Sequence, residues 1–274
     1  MAGILYVVGT PIGNLGDFTF RAVETLKSVD FICAEDTRVT VKLLNHFEIK
    51  KPLVSYHEHS VRQVSEGIVS RILGGENCAV VSDAGMPCIS DPGEDLVVLC
   101  AENGIRTEVI PGPTAMASAV AISGLTTSRF SFEGFLSVTK KQRYDHLQSV
   151  AKDTHTLIFY EAPHKLIATL NDMLQYFGDR KISICRELTK IHEEVIRTTL
   201  SKAVEYYKAV NPRGEFVLVV NGYVPDEEEG MTIDDAIEQV KKLIDKGEKA
   251  VDACKTVAKL TGFKKSELYS IINQ

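Results

Sequence analysis

Ala79-Val80-Val81-Ser82-Asp83-Ala84-Gly85-Met86-Pro87-Cys88-Ile89-Ser90-Asp91-Pro92-Gly93 is the stretch that decides the fold of this chain. It begins with a short apolar run, which predicts a buried strand, and continues into a loop rich in glycine, proline, serine and aspartate. The helical pattern Leu96-Val97-Val98-Leu99 follows. Asp83 is therefore predicted at the carboxyl end of a core strand, where open α/β sheets bind ligands. A tight turn in which Asp83 is only a local cap is the alternative.

Two other glycine- and proline-rich loops have the same setting. They are Gly9-Thr10-Pro11-Ile12-Gly13-Asn14-Leu15-Gly16, after the apolar run 4–8, and Pro111-Gly112-Pro113-Thr114-Ala115, after the run 107–110. Three such loops are predicted to converge at one edge of a parallel sheet, where glycine lets a ligand approach the backbone closely. The glycine spacing of the first loop does not fit the dinucleotide fingerprint, and no Gly-Lys-Ser/Thr follows for a phosphate loop.

Composition predicts an ordinary globular protein. The chain has 274 residues, of which 44% are hydrophobic and 25% charged, and this length suggests about two domains. No apolar run approaches the roughly 20 residues that a membrane span needs. The first residues lead directly into a strand pattern, so no signal peptide and no membrane are predicted.

The cysteines and the net charge limit the environment and the partners. The six cysteines are scattered without a Cys-x-x-Cys, a pattern typical of reduced thiols in a cytoplasmic protein. The net charge of −6 argues against a surface that binds nucleic acid over its whole extent, but it permits a local basic patch.

The pattern of elements divides the chain into four parts. Residues 1–128 alternate strand and helix and predict a doubly wound α/β domain. Residues 129–223 predict an α+β domain with a mixed sheet, residues 224–230 an acidic linker, and residues 231–274 a helical tail that resembles a helix-turn-helix. Lysines 255, 259, 264 and 265 of this tail form either a face for nucleic acid or the exposed side of a plain helical cap.

Three further features carry information. The helix predicted over 115–124 is almost wholly small and apolar, so we expect it to be buried against the sheet or a second subunit. The charged stretch Glu35-Asp36-Thr37-Arg38 follows a second predicted strand. Its side chains either belong to an active site or are solvated residues in the first turn of the next helix. His57 and His59 suggest a metal, but no third ligand with matching spacing is visible, so none is predicted.

Several motifs together are more specific than any single loop. The chain resembles the tetrapyrrole methylase superfamily, the class III S-adenosylmethionine-dependent methyltransferases, and within it the ribosomal RNA small subunit methyltransferase I family. The motifs that carry the resemblance are Gly9-Thr10-Pro11-Ile12-Gly13-Asn14-Leu15, Ala34-Glu35-Asp36-Thr37-Arg38, Ser82-Asp83-Ala84-Gly85-Met86-Pro87, Asp91-Pro92-Gly93, Pro111-Gly112-Pro113-Thr114-Ala115, Tyr160-Glu161-Ala162-Pro163-His164 and Arg186-Glu187-Leu188-Thr189-Lys190.

The resemblance implies two α/β domains with an active-site cleft between them, a small helical C-terminal domain and a homodimer. It implies methylation of the ribose 2′-oxygen of a cytidine in 16S rRNA, within the small ribosomal subunit. By analogy, S-adenosylmethionine contacts Pro11, Ile12, Asp83, Ala84, Gly85, Met86, Thr114, Ala115, Tyr160, Glu161 and Leu188.

Catalysis and RNA binding are assigned from sheet-edge placement and the motif match. The 2′-hydroxyl must lose its proton, and Glu35, Asp36 and His57 are the candidate bases. Arg38, Lys140, Lys141 and Arg143 are the candidate RNA contacts. The connector after Phe135 is less basic than this family leads us to expect, which favours a substrate presented on an assembled subunit over naked RNA.

Two rival functions remain open on the sequence. A methylase of a tetrapyrrole or another small molecule would share the fold and the cofactor, and it would not need the lysine-bearing tail. A factor that binds RNA or assists ribosome assembly without turnover would keep the fold alone, although the intact loops after every relevant strand argue against it.

Overall fold

The computed structural model describes residues 1–57, 62–225, 232–245 and 247–272, without the side chains of residues 62 and 63. The chain separates into two compact units, Met1–Tyr223 and Val224–Gln274. The first contains two five-stranded sheets, and the described residues of the second form helices and no strand. The fold class predicted from the sequence, two α/β sheets followed by a helical segment, is confirmed.

The first sheet is wholly parallel, with the strand order β3-β2-β4-β1-β5. Its strands are β1 (Ile4–Val8), β2 (Phe31–Ala34), β3 (Leu53–Ser55), β4 (Cys78–Val81) and β5 (Arg106–Ile110). All four residues of β2 and of β4 are buried, as expected for parallel strands covered on both faces. The register sets Ala34 beside Val81 and Val8 beside Ile110, so the loops after these strands leave from the same edge of the sheet.

Helices cover both faces of this sheet. They are α1 (Phe20–Ser28), α2 (Thr37–His46), α3 (Arg62–Leu73) and α4 (Glu94–Glu102), whereas α5 (Ala115–Ser123) packs against the second sheet. One core joins Leu5 and Phe31 to residues of α3 and α4. The other joins Val8 and Ile32 to residues of α1 and α2. This two-sided packing is the doubly wound arrangement.

Helix α5 differs in part from the expectation of full burial. Its residues Ala119 and Val120 are buried against strands of the second sheet. Ala117, Ala121 and Ile122 are exposed, so the helix has a solvent-facing side in this chain. One face of the helix is therefore buried against a sheet as expected, and burial of the other face against a second subunit stays a prediction.

The second sheet is mixed, in the order β6-β7-β10-β8-β9, with only β6 and β7 parallel. The elements are β6 (Phe130–Phe135), α6 (Lys140–Val150), β7 (Thr156–Glu161), α7 (Leu166–Phe177), β8 (Lys181–Arg186), β9 (Glu194–Thr199), α8 (Leu200–Ala209) and β10 (Phe216–Val220). Leu157, Phe159, Ile184 and Leu218 are fully buried and form its core with residues of α7 and α8.

The second unit packs three helices, α9 (Ile233–Asp245), α10 (Ala250–Thr261) and α11 (Lys265–Ile272), around Val240, Cys254, Val257 and Leu268. Gly262 ends α10 in the left-handed conformation, with φ of 79°, at the predicted break. Asp226–Gly230 of the predicted linker lie outside the described residues. None of the helices in the described ranges is long and apolar enough to cross a membrane.

Candidate functional site

A cleft between the two sheets of the first unit has a volume of about 500 Å³. Its walls come from the loops after β1, β2, β4 and β5 on one side and from β6, β7, β8 and β10 on the other. Ten residues predicted to bind the cofactor line it: Ile12, Asp83, Ala84, Gly85, Met86, Thr114, Ala115, Tyr160, Glu161 and Leu188. Pro11 lines a neighbouring groove instead, together with Ile12 and Asp83.

Backbone contacts between the three glycine-rich loops build the floor of the cleft. Thr10 and Gly85 exchange two backbone hydrogen bonds, of 2.8 and 3.1 Å, and the Thr10 hydroxyl donates to the carbonyl of Ser82 at 3.2 Å. A Cβ on Gly9 would lie 2.7 Å from the Cα of Gly112, so this approach requires glycine at both positions. These contacts hold the three loops against one another.

The wall from the second sheet is aromatic and apolar. Tyr160 accepts a hydrogen bond from the backbone N–H of Met116 at 3.1 Å, and its ring contacts Phe132 at 4.9 Å and Phe135 at 5.4 Å between centroids. Leu188 is buried in this wall between two residues of positive φ, Glu187 and Thr189. Such a surface suits a flat apolar group such as a purine ring.

Glu161 belongs to the wall, but its carboxylate serves the second sheet. One oxygen accepts from the backbone N–H of Ala162 at 2.8 Å, and the other accepts from the Thr169 hydroxyl at 2.5 Å. The side chain is almost fully buried. It therefore holds the turn after β7 in place, and a direct contact with a cofactor stays a prediction.

Three carboxylates, Glu35, Asp83 and Asp91, line the opposite side of the cleft. The backbone N–H of Asp36 donates to Asp83 at 3.1 Å, and the backbone N–H of Asp83 donates to Glu35 at 3.3 Å. These two bonds tie the loops after β2 and β4 together. Burial raises the pKa of Asp83 above its ordinary value.

Asp91 is the site residue for which sequence reasoning assigned no role. Burial and the negative charge of Glu35 raise its pKa to about 6; the Ser82 hydroxyl partly opposes this shift, and Asp83 adds to it. The motif Asp91-Pro92-Gly93 was visible in the sequence. Its proximity to Glu35 depends on the packing of β2 against β4, which no local pattern encodes.

Asp36 and Arg38, predicted as a base and an RNA contact, form a local ion pair. Asp36 caps α2 by accepting from the backbone N–H of Arg38 at 2.8 Å, and the guanidinium donates to both of its carboxylate oxygens. These bonds lower the pKa of Asp36 to about 2. Asp36 does not line the cleft. The side chain of Arg38 is 87% exposed.

His57 lies in a second, polar cavity of about 920 Å³, which shares Glu35, Ser90 and Asp91 with the cleft. Within the described residues no group of three or more metal-ligating side chains could hold an ion. Glu58 and His59 lie outside the described residues.

The predicted basic contacts of the second sheet divide into two kinds. Lys140 and Lys141 are exposed at the start of α6. Arg143 is partly buried, and its Nε donates to Asp172 at 2.8 Å. Arg143 therefore anchors α6 to α7, and its contact with RNA stays a prediction.

The fold and the cleft define a class of protein. Residues 4–204 match the family model described as Tetrapyrrole (Corrin/Porphyrin) Methylases. The fold is similar to a uroporphyrin III C-methyl transferase from Thermus thermophilus, with a TM-score of 0.56 and 17% identity over 80% of this chain and 96% of that one. It is also similar to a diphthine synthase, with a TM-score of 0.60 and 13% identity over 80% of this chain and 89% of that one. The chain has the tetrapyrrole methylase fold.

Closer relatives define the family within that class. A Synechocystis protein named ribosomal RNA small subunit methyltransferase I is 46% identical over 98% of this chain and 97% of its own length. The protein of the same name from Halalkalibacterium halodurans is 47% identical over 99% and 95%. The one from Thermotoga maritima is 47% identical over 80% of this chain and 99% of its own. The chain belongs to the ribosomal RNA small subunit methyltransferase I family and is an S-adenosylmethionine-dependent methyltransferase.

The cleft has the chemistry that this cofactor requires. The apolar wall around Tyr160 and Leu188 fits an adenine ring, and the carboxylate of Asp83 fits an ammonium group. Its volume of about 500 Å³ lies within the range of small-molecule sites. The residues present therefore fit S-adenosylmethionine.

Proposed function

We propose that this enzyme methylates the ribose 2′-oxygen of a cytidine in 16S rRNA and that it acts on the small ribosomal subunit in the cytoplasm. The observation that carries the proposal is identity of 42–47% with relatives named ribosomal RNA small subunit methyltransferase I, most of them matched over nearly the whole chain. The placement of carboxylates at the edge of the cleft supports a hydroxyl group as the acceptor.

Bound S-adenosylmethionine supplies an electrophilic methyl group on a sulfonium. The chain has two tasks: to hold the ribose oxygen in line with that methyl group, and to accept the hydroxyl proton. We assign the proton to Asp91, because its pKa of about 6 is close to the working pH, as an efficient base requires. Burial in the cleft raises that pKa most, and the charge of Glu35, which lines the same cleft, adds to the shift.

The remaining predicted bases have weaker positions for this step. Asp36 is bonded to Arg38 and outside the cleft. His57 lines the adjoining polar cavity and not the cleft itself. We therefore retain His57 as a contact to the target nucleotide.

Exposed cations at the first and second sheets support RNA as the substrate. Lys140 and Lys141 start α6, and Arg38 extends from α2. These positions suit contacts with phosphates on either side of the target nucleotide. The net charge of −6 limits affinity for naked RNA, so we propose that the assembled subunit presents the nucleotide.

We also propose a homodimer. Edge strand β5 and helix α1 carry the exposed apolar residues Val109, 56% exposed, and Phe20, 94% exposed. Arg21 donates to the carbonyl of Val109 at 3.3 Å, which sets the two elements side by side. Exposed Ile122 of α5 adds to the apolar surface of the unit. Analytical ultracentrifugation at micromolar concentration measures the stoichiometry; a monomer would contradict this proposal.

The test is methyl transfer from labelled S-adenosylmethionine to small subunits purified from cells that lack this protein. We expect label in 16S rRNA at a single position that resists alkaline cleavage, because a methylated 2′-oxygen cannot attack the neighbouring phosphate. Label on a base, or no label on the RNA while the cofactor still binds, would overturn the proposal.

A further inference from the structure

Two exposed apolar side chains flank the mouth of the cleft. Ile89, in the loop after β4, is 44% exposed, and Phe135, at the end of β6, is 56% exposed. Both also line the cleft. Their chain neighbours meet, because a Cβ on Gly134 would lie 3.1 Å from the Oγ of Ser90. The two side chains therefore stand at one junction and come from opposite sheets.

The backbone holds Ile89 in this exposed position. Cys88 and Ser90, on either side of it, have φ of 69° and 61°, a left-handed conformation that residues with a Cβ rarely adopt. Strain of this kind persists only where the surrounding structure imposes it, and it concentrates at ligand-binding segments. The exposure of Ile89 is thus a built feature of the loop.

The ring of Phe135 is also held in a fixed orientation. It contacts the ring of Tyr160 at 5.4 Å between centroids, with an interplanar angle of 62°. Tyr160 is in turn fixed by Phe132 at 4.9 Å and by the backbone N–H of Met116. A ring oriented in advance loses little conformational freedom when a ligand packs on it.

The surroundings of this junction indicate what packs there. Lys140 and Lys141 are exposed at the start of α6, five and six residues after Phe135. Aromatic rings beside cations are the usual combination in sites for single-stranded nucleic acid, where bases stack and phosphates pair with lysine. The cleft behind the junction contains Asp91, the proposed general base. A nucleotide that enters the cleft therefore unstacks from its neighbours in the strand.

We infer that an unstacked nucleobase of the RNA substrate packs on Phe135 and against Ile89 at the mouth of the cleft; the inference rests on the proposed function. The apolar pair contributes affinity through stacking, and it holds the strand open so that one ribose reaches the carboxylates. Because every base has a flat face, this contact positions the RNA without reading its sequence.

The experiment compares Phe135→Ala, Phe135→Leu, Phe135→Tyr and Ile89→Ala with wild type. The control is Val138→Ala, since Val138 is 74% exposed three residues further on and does not line the cleft. kcat and KM are measured with unmethylated small subunits, and the Kd for S-adenosylhomocysteine is measured by calorimetry. The Kd measurement distinguishes an effect on RNA binding from an effect on the cofactor site.

We expect Phe135→Ala to lower kcat/KM for subunits by about 5- to 150-fold, the range known for loss of one base–aromatic contact. Phe135→Tyr should keep the wild-type kcat/KM, and Phe135→Leu should keep part of it. Ile89→Ala should lower kcat/KM several-fold. The Kd for S-adenosylhomocysteine should change less than about threefold in each.

Two results would overturn the inference. One is a Phe135→Ala enzyme within twofold of wild type. The other is a loss in kcat/KM equal to the loss in S-adenosylhomocysteine affinity, which would make the ring part of the cofactor wall alone. Wild-type enzyme that methylates no RNA is a separate result, and it would overturn the proposed function itself.

Discussion

The loops after β2 and β4 lie side by side at one edge of the first sheet, and both are acidic, yet they hold their carboxylates in opposite ways. Asp36 accepts hydrogen bonds from the Arg38 side chain and backbone, which lower its pKa to about 2. Burial of Asp91, together with the negative charge of Glu35, raises its pKa to about 6. A place at the end of a core strand is therefore not enough to assign a catalytic role; the burial of the carboxylate and its partner decide between a structural cap and a reactive group.

The largest effect is expected from Asp91→Asn. The amide keeps the shape of the side chain but cannot accept the hydroxyl proton, so kcat should fall by about 10²- to 10⁴-fold. Single-turnover methyl transfer to unmethylated small subunits measures it. Binding of S-adenosylhomocysteine, followed by calorimetry, should remain within a few-fold of wild type and is the control. Retention of more than a third of the wild-type rate would transfer the role of base to another group, with Glu35 the next to test.

The pH dependence of the rate tests why Asp91 differs from Asp36. A base with a pKa of about 6 makes kcat/KM fall tenfold for each pH unit below that value and makes it level above it. Glu35→Gln removes a negative charge that raises this pKa, so the midpoint of the profile should move to lower pH. A matched Glu35→Asp enzyme keeps the charge and should keep a midpoint closer to that of wild type. An unchanged midpoint in Glu35→Gln would contradict the electrostatic account.

The same carboxylate should reduce stability at neutral and alkaline pH. Because the pKa of Asp91 is raised in the folded state, its protonated form stabilises the fold, fully below the ordinary value of 3.8, and this contribution is lost as the pH rises through about 6. Asp91→Asn resembles the protonated form at every pH. At pH 8 the variant should gain about 1 kcal/mol, discounted for solvent screening, or roughly 2–4 °C in Tm.

Thermal unfolding at pH 8 and at pH 4 measures this gain. The difference in Tm between variant and wild type should shrink at the lower pH, where Asp91 itself is protonated. A variant that is less stable than wild type at pH 8 would show that the charged form of Asp91 is favoured by the fold.

The same two loops show which features of the fold and the site could be predicted from the sequence. The apolar runs of β1, β2, β4 and β5 placed the strands, and the glycine- and proline-rich loops after them placed the cleft. These features are local, so short patterns predict them.

What the sequence did not predict depends on contacts between distant segments. Burial and the charge of Glu35, which lies 56 positions earlier, together raise the pKa of Asp91. Positive φ at Cys88, Ser90, Glu187 and Thr189 occurs in residues that do not favour it, so no glycine marked these turns. The exposed side of α5 could likewise not be predicted, because an apolar helix has the same composition whether its outer face meets solvent or another chain.

The smallest effect is expected from Asp36→Asn, and it is the result that most directly separates the two loops. Asparagine caps a helix as well as aspartate does, so α2 and the backbone N–H that donates to Asp83 at 3.1 Å should stay in place. Only the pairing of charge with Arg38 is lost, and kcat should remain within about threefold of wild type. Asp36→Ala removes the cap as well, and it should have a lower Tm than Asp36→Asn with a similar kcat. If Asp36→Asn instead lost more than tenfold in kcat at unchanged Tm, the carboxylate of Asp36 would take part in the reaction, and both loops would have to be regarded as catalytic.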